Sequence, residues 1–191
     1  MESTKNNTWL HFLFKLSRYV DSKISHSGTH SITVAQQVHS IAARMGCNEK
    51  DIQILYWAAL LHDIGKVGVP ENVLSKAGPL TDQEWVTMKL HPTVGANILK
   101  AVNGIGYVAP VVLTHQEKFD GTGYPFGLQG QDIPLGARIL AVLDAFDAMT
   151  SDRVYRKAFS LKEAVEELQR GNGKHFDPDV VEVFLDSLQS Q

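Results

Sequence analysis

Residues 52–63 read IQILYWAALLHD, and Gln53 is the one polar residue before the stretch ends in His62 and Asp63. A run that is apolar nearly all round cannot lie on a surface, so it predicts a helix enclosed by others. Asn48 stands where a cap is needed, with Asp51 three residues later as an acidic partner. Gly65 supplies the stop. The enclosed helix therefore delivers an imidazole and a carboxylate into the interior. A buried carboxylate without a partner is very costly, so Asp63 must be paired or must bind a metal.

The pattern on either side is also helical. Trp9, Leu13, Leu16 and Val20 fall on one helical stripe, which is expected to join the core. Val34, Val38, Ile41 and Met45 form another, ended by Gly46. Thr81 and Glu84 make a capping box for DQEWVTMKLH, and Pro92 is expected to break that helix after His91. A helix from about Val108 should carry the chain to Gln116. Pro134 suits the first position of LGARILAVLDAFDAMT. Ser160 and Glu163 box a further helix, and Asp177-Pro178 opens the last. Strand alternation is nearly absent. The fold class predicted is all-α, with one long irregular loop, residues 117–130, that holds four glycines and a proline. A loop of that length within a compact domain is usually functional or disordered.

Composition agrees with a single domain. The 191 residues are 43% hydrophobic and carry a net charge of −3, so no global basic field attracts nucleic acid or anionic membrane. The single cysteine, Cys47, excludes an internal disulfide framework and fits a reducing compartment. No apolar run spans a bilayer, and the first residues lack the features of a signal peptide. A cytoplasmic location is expected.

A second carboxylate, Asp144, lies within the apolar sequence RILAVLDAFDAM. One such Asp is ordinarily a salt-bridged or hydrogen-bonded core residue. The pair His62-Asp63, a distant buried Asp144 and further histidines at helix ends (His30, His91, His115) are better explained by a shared metal site. Mixed imidazole and carboxylate ligands suit iron, manganese or zinc rather than calcium. Asp63 is the natural bridge between two ions, because its neighbour His62 can bind one of them.

The stretches HDIGKVGVP (62–70), MKLHPTVGANIL (88–99), HQEKFDGTGYP (115–125) and ILAVLDAFDAMTSDRVYRKA (139–158) resemble, in this order, the motifs of the HD-GYP domain. This is the branch of the HD-superfamily phosphohydrolases associated with cyclic di-GMP hydrolysis. The resemblance covers about residues 26–185 and implies an HD-superfamily helical bundle at 26–191. It leaves 1–25 as an N-terminal helix, which could be the end of a signalling connector. By the resemblance, His30, His62, Asp63 and Asp144 hold one metal, and Asp63 bridges to a second that also takes His91 and His115. The family expects a further histidine where this chain has Gln116. An amide oxygen there would be a weaker ligand and would leave the second site looser. Some members carry a third metal, helped by a residue one turn before His30. Here that residue is His26, which has the alternative reading of an exposed loop histidine. Iron or manganese is the favoured pair of divalent ions, with zinc, nickel or magnesium as substitutes.

The resemblance assigns Lys66, Arg153 and Arg156 to phosphate, a role that suits the forked arginine donors. The arginines could instead pair with Asp147, Asp152 or Glu163. Tyr124 offers a ring and a hydroxyl to a base, and Gly123 and Pro125 flank it on the substrate wall, unless Tyr124 and Pro125 only pin the loop. Glu117, Asp120, Gly121 and Gly123 are expected to shape that loop. The implied activity is hydrolysis of cyclic di-GMP to pGpG or GMP by a metal-bridging hydroxide, with Asp63 and Lys66 catalytic. The alternatives are a hydrolase of another cyclic dinucleotide or nucleotide, and a degenerate module that binds nucleotide or protein without turnover. Partners compatible with the resemblance are a diguanylate cyclase (GGDEF) or another signalling protein, and a second copy of the chain.

Overall fold

In the computed structural model, residues 2–24, 28–152 and 157–189 are described. His26, Arg153 and Arg156 lie outside them. No named strand occurs among the described residues, and two isolated bridges are the only β pairing there. The helices are α1 (Glu2–Ile24), α2 (His30–Arg44), α3 (Glu49–Leu61), α4 (Glu71–Leu74), α5 (Asp82–Met88), α6 (His91–Ala101), α7 (Ala109–Thr114), α8 (Leu135–Thr150), α9 (Leu161–Arg170) and α10 (Pro178–Gln189).

Local chemistry sets most ends as expected. Asn48 accepts from the Asp51 amide, and Thr81–Glu84 and Ser160–Glu163 form reciprocal capping boxes. Gly46 ends α2 with φ +78°, in the left-handed region. Helix α3 buries Ile52, Leu55, Ala58, Ala59, Leu60 and Leu61, but Gln53 and Tyr56 reach solvent, so its enclosure is partial, and α8, with no exposed residue, is the more enclosed helix. Helix α3 packs chiefly on α2, and α2 packs in turn on α8. Each large apolar side chain in that core contributes roughly 1.5–3 kcal/mol over its exposed state.

Three expectations are corrected. Pro92 breaks nothing: α5 has already ended at Met88, and His91-Pro92 opens α6, where a missing N–H costs no hydrogen bond. The helix expected from about Val108 forms as α7 but ends at Thr114, two residues before Gln116, so His115 caps a helix end. On α1, Leu13 and Val20 are buried, but Trp9 is 53% exposed and stands outside the core.

One close contact fixes the site's geometry. The 3₁₀ turn Ile64–Gly68 lies directly on α6. A β-carbon on Gly65 would fall 2.0 Å from the His91 carbonyl oxygen and 2.4 Å from the Gly95 nitrogen. Only glycine lets these backbones touch, and their contact is what brings Asp63 beside His91. Gly65→Ala should therefore cost about 2 kcal/mol or more in chemical denaturation, because backbone atoms on both sides must move. Gly68→Ala, whose β-carbon meets only the Val94 side chain at 3.6 Å, should change stability far less. Equal effects would show that the contact is not constraining.

Candidate metal centre

Three histidines are presented by helix ends in the same way. His62 caps α3, His91 begins α6 and His115 caps α7. Each imidazole places Nδ1 on the carbonyl three residues back: Ala59 at 2.8 Å, Met88 at 2.8 Å and Val112 at 2.7 Å. A carbonyl only accepts, so Nδ1 carries the proton and donates it. In the neutral ring Nε2 then presents its lone pair inward. His30 is held by a carboxylate instead, with Nδ1 2.5 Å from Asp147 Oδ2.

These nitrogens converge. The Nε2 atoms of His30 and His62 are 3.3 Å apart, as are those of His91 and His115. Asp144 Oδ1 lies 3.0 Å from His30 Nε2 and 3.8 Å from His62 Nε2. Asp63 sits between the pairs, with Oδ2 3.5 Å from His62 Nε2 and Oδ1 3.7 Å from His91 Nε2. Oδ1 of Asp63 is buried and has no hydrogen-bond partner. Its other oxygen takes the Lys66 ammonium at 2.6 Å, one 3₁₀ turn away.

The electrostatics divide the site in two. Burial disfavours charge on His91, and Lys66 adds to this, lowering its pKa to about 4. Burial and the neighbouring His62 lower His115 to about 3. Both are neutral near pH 7, with lone pairs facing each other. Burial also opposes charge on His30, but Asp144 and Asp147 outweigh it and raise its pKa to about 10. The same contest raises His62, whose burial is outweighed by Asp63. Burial would raise Asp63, yet Lys66 and His62 hold it well below the usual carboxylate range. Asp144 is likewise lowered, since His30 and His62 prevail over burial.

The residues fit a metal. Paired lone pairs 3.3 Å apart, with both Nδ1 positions committed, are repulsive until a cation lies between or beside them. The unpartnered Asp63 Oδ1 needs the same thing. His30, His62 and Asp144 form one ligand-like group and His62, Asp63 and His115 another. Four imidazoles and two carboxylates suit a transition metal.

The centre forms the floor of a cavity of about 410 Å³ lined by Asp63, Lys66, His91, Gln116, Tyr124 and Asp144, with Trp85 and Met88 of α5 on another wall. Gln116 Oε1 accepts from the Tyr124 hydroxyl at 3.2 Å, so its amide oxygen is engaged with the loop. The Tyr124 ring carries the Lys89 ammonium 5.7 Å from its centroid, and burial with the nearby carboxylates raises its phenol pKa. The buried Glu117 carboxylate accepts from the Phe126 and Leu128 amides at 2.7 and 3.1 Å and closes the loop on itself. A β-carbon on Gly123 would fall 2.3 Å from Lys118 N, so this glycine is where the loop crosses its own backbone. Tyr124 thus lines the cavity, Gly123 packs behind it, and the exposed Pro125 follows a cis peptide.

Two residues of the site lie outside the set the sequence predicts. Asp147, which the sequence offers as an arginine's counter-ion, instead holds His30, and its place one turn after Asp144 on an apolar helix is the signal for it. Trp85 gives none, because a wall built by a separate short helix has no local pattern.

Comparison with known proteins agrees with this architecture. The HD domain family matches residues 15–180. A cyclic di-GMP phosphodiesterase of Vibrio cholerae is 40% identical over 188 residues, covering 91% of this chain and 38% of the relative. A 3'3'-cGAMP-specific phosphodiesterase of the same organism is 37% identical over 176 residues, covering 91% of this chain and 34% of the relative. The chain thus spans less than half the length of these relatives. A solved HDG"Y"P protein from Bdellovibrio bacteriovorus superposes with a TM-score of 0.66 at 26% identity, over 84% of this chain and 51% of that one. With the ordered HD and GYP motifs placed around one centre, the chain belongs to the HD domain family in its HD-GYP form.

Proposed function

We propose that the chain is a metal-dependent phosphodiesterase of a cyclic dinucleotide, with cyclic di-GMP as substrate and pGpG or GMP as product. The observation that carries this is two pairs of Nε2 atoms, one member of each beside Asp63, whose Oδ1 has no hydrogen-bond partner, at the floor of a cavity. His30, His62 and Asp144 would hold one divalent ion, His91 and His115 a second, and Asp63 both. Iron or manganese suits that donor set best, ahead of zinc, nickel or magnesium. Such ions supply Lewis acidity toward phosphoryl oxygen and a water acidic enough to ionise near neutral pH.

The chain's own residues do the rest. The Nδ1 hydrogen bonds aim each imidazole before any ligand arrives, so little reorganisation is needed. Lys66 places a positive charge beside the shared carboxylate, where a phosphoryl oxygen must approach. Arg153 and Arg156 are the sequence's further candidates for phosphate. Tyr124 forms part of the wall a base would meet. The identity shared with a 3'3'-cGAMP-specific relative makes a mixed cyclic dinucleotide the second reading. A cytoplasmic signalling role, with a cyclase or a second copy as partner, accompanies this proposal.

Turnover of a cyclic dinucleotide panel by protein loaded anaerobically with Mn²⁺ or Fe²⁺ is the direct test. Asp63→Ala should lose metal and turnover together. Lys66→Ala should keep metal while kcat/KM falls roughly 10- to 150-fold, the equivalent of one charged contact. A loaded wild type that hydrolyses none of the panel would favour the binding-module reading.

Metal loading should also release protons. His30 is charged near pH 7, because its raised pKa lies at about 10, and it must surrender the Nε2 proton to bind metal. Calorimetry in buffers of different ionisation enthalpy should show about one proton or more released per chain at pH 7. Affinity should fall by about tenfold per pH unit for each proton displaced, as pH drops below that value. Loading without proton release would show that His30 is neutral in the metal-free chain.

Gln116→His should tighten metal binding by about tenfold, or ~1.4 kcal/mol, by adding an imidazole beside His115. It also frees the Tyr124 hydroxyl from its amide partner. Unchanged metal affinity would mean that position 116 faces the loop and not an ion.

A further inference from the structure

Helix α1 meets the metal centre through two polar side chains that no part of the proposed chemistry uses. Ser17 and Asp21 are four residues apart, so they share one face of α1, and each is 1% exposed. Asp21 reaches across to α2. Its Oδ2 accepts from the Ser31 amide at 3.0 Å and its Oδ1 from the Ser31 hydroxyl at 3.0 Å. Ser31 is the second residue of α2 and follows His30 directly. The ordinary cap of α2 is absent, because the Thr29 side chain makes no capping hydrogen bond. A carboxylate from another helix thus performs the capping, and its negative charge meets the positive end of the α2 dipole.

Ser17 does the complementary job at α3. Its hydroxyl donates to the Leu60 carbonyl at 2.6 Å, in the last turn before His62 and Asp63. That carbonyl is one of those a helix terminus leaves without an internal partner. The neighbouring carbonyl, of Ala59, already orients the His62 ring. One face of α1 therefore satisfies the start of the helix that carries His30 and the end of the helix that carries His62. These histidines form one of the two pairs whose Nε2 atoms lie 3.3 Å apart.

We propose that Asp21, seconded by Ser17, is a positioning residue for the His30–His62 half of the metal centre. It acts through Ser31 on the register of the first turn of α2, and touches neither metal nor substrate. The proposal rests on the metal reading for its consequence, but its geometry concerns the metal-free chain.

The test uses the full chain in two measurements. Long-range ¹H–¹⁵N spectra of the metal-free protein read each imidazole ring. Asp21→Ala should shift the His30 and His62 resonances and leave those of His91 and His115 in place. Co²⁺ titration should then show first-ion binding weakened roughly 10- to 100-fold, the range typical of lost orienting partners, with an altered d–d spectrum. Asp21→Asn, which can still accept from the Ser31 amide, should restore both readouts. Should Asp21→Ala fold poorly, Ser31→Ala removes only the hydroxyl contact and should give a smaller shift of the same rings. Unmoved His30 and His62 resonances in these variants overturn the proposal, as does equal displacement of all four histidines. A wild type that binds no Co²⁺ would instead sink the metal reading, while the ring spectra would still decide the role of Asp21.

Discussion

The Asp63 carboxylate is the constraint around which the rest of the centre is arranged. It is 3% exposed and directly follows α3, where an unbalanced charge is poorly tolerated. One oxygen is balanced by Lys66, and the other has no hydrogen-bond partner. The chain supplies the remaining compensation as imidazoles rather than as fixed positive charge. Two of these, His91 and His115, are kept neutral by burial and by their cationic neighbours. Neutral imidazoles do not neutralise a carboxylate, but they do complete the donor set of a cation that would. The site is organised for a cation the protein itself does not supply.

The precision of that arrangement comes from helix termini. Five ligand candidates sit at or next to helix ends: His30 and His91 begin helices, His62 and His115 end them, and Asp63 follows His62. A helix end has fixed position, and in three cases its free carbonyl orients the ligand's own ring. Asp144 is the exception, projecting from the middle of α8, and it is 21% exposed toward the cavity. Its role is paired with that of Asp147, one turn later, so α8 presents a carboxylate to each nitrogen of His30.

Much of this was legible in the sequence because helical signals are local. Capping pairs such as Thr81–Glu84 announce themselves within four residues, and the apolar run at 52–61 marks a helix with a broad core face, although Gln53 and Tyr56 reach solvent. Sequence and structure differ where a residue type serves two purposes. Proline is tolerated in a first helical turn as readily as it ends a helix, so the sequence alone does not say which boundary Pro92 marks. Trp9 fits an apolar stripe, yet the stripe's burial depends on what packs against it, which periodicity does not encode. Asp147 and Trp85 act on elements remote in sequence, and only the folded arrangement relates them to the site. Gly65 looked like a simple stop, whereas its lack of a β-carbon is needed for the contact with α6.

The loop after His115 supplies Tyr124 to the cavity wall. Its shape is set by Glu117 accepting from Phe126 and Leu128, by Gly123 crossing the backbone at Lys118, and by the Phe119 and Asp120 amides donating to the His175 and Lys174 carbonyls. A loop held in this way needs no ligand to order it, so less of the entropy of closure is charged to binding. Tyr124 is then held at a set place on the wall by the Gln116 amide and the Lys89 ammonium. The departure at position 116 therefore changes two things together: it removes an imidazole from the centre and gives the tyrosine a neutral hydrogen-bond partner. In the proposed function, position 116 stands where the metal centre and the tyrosine wall meet.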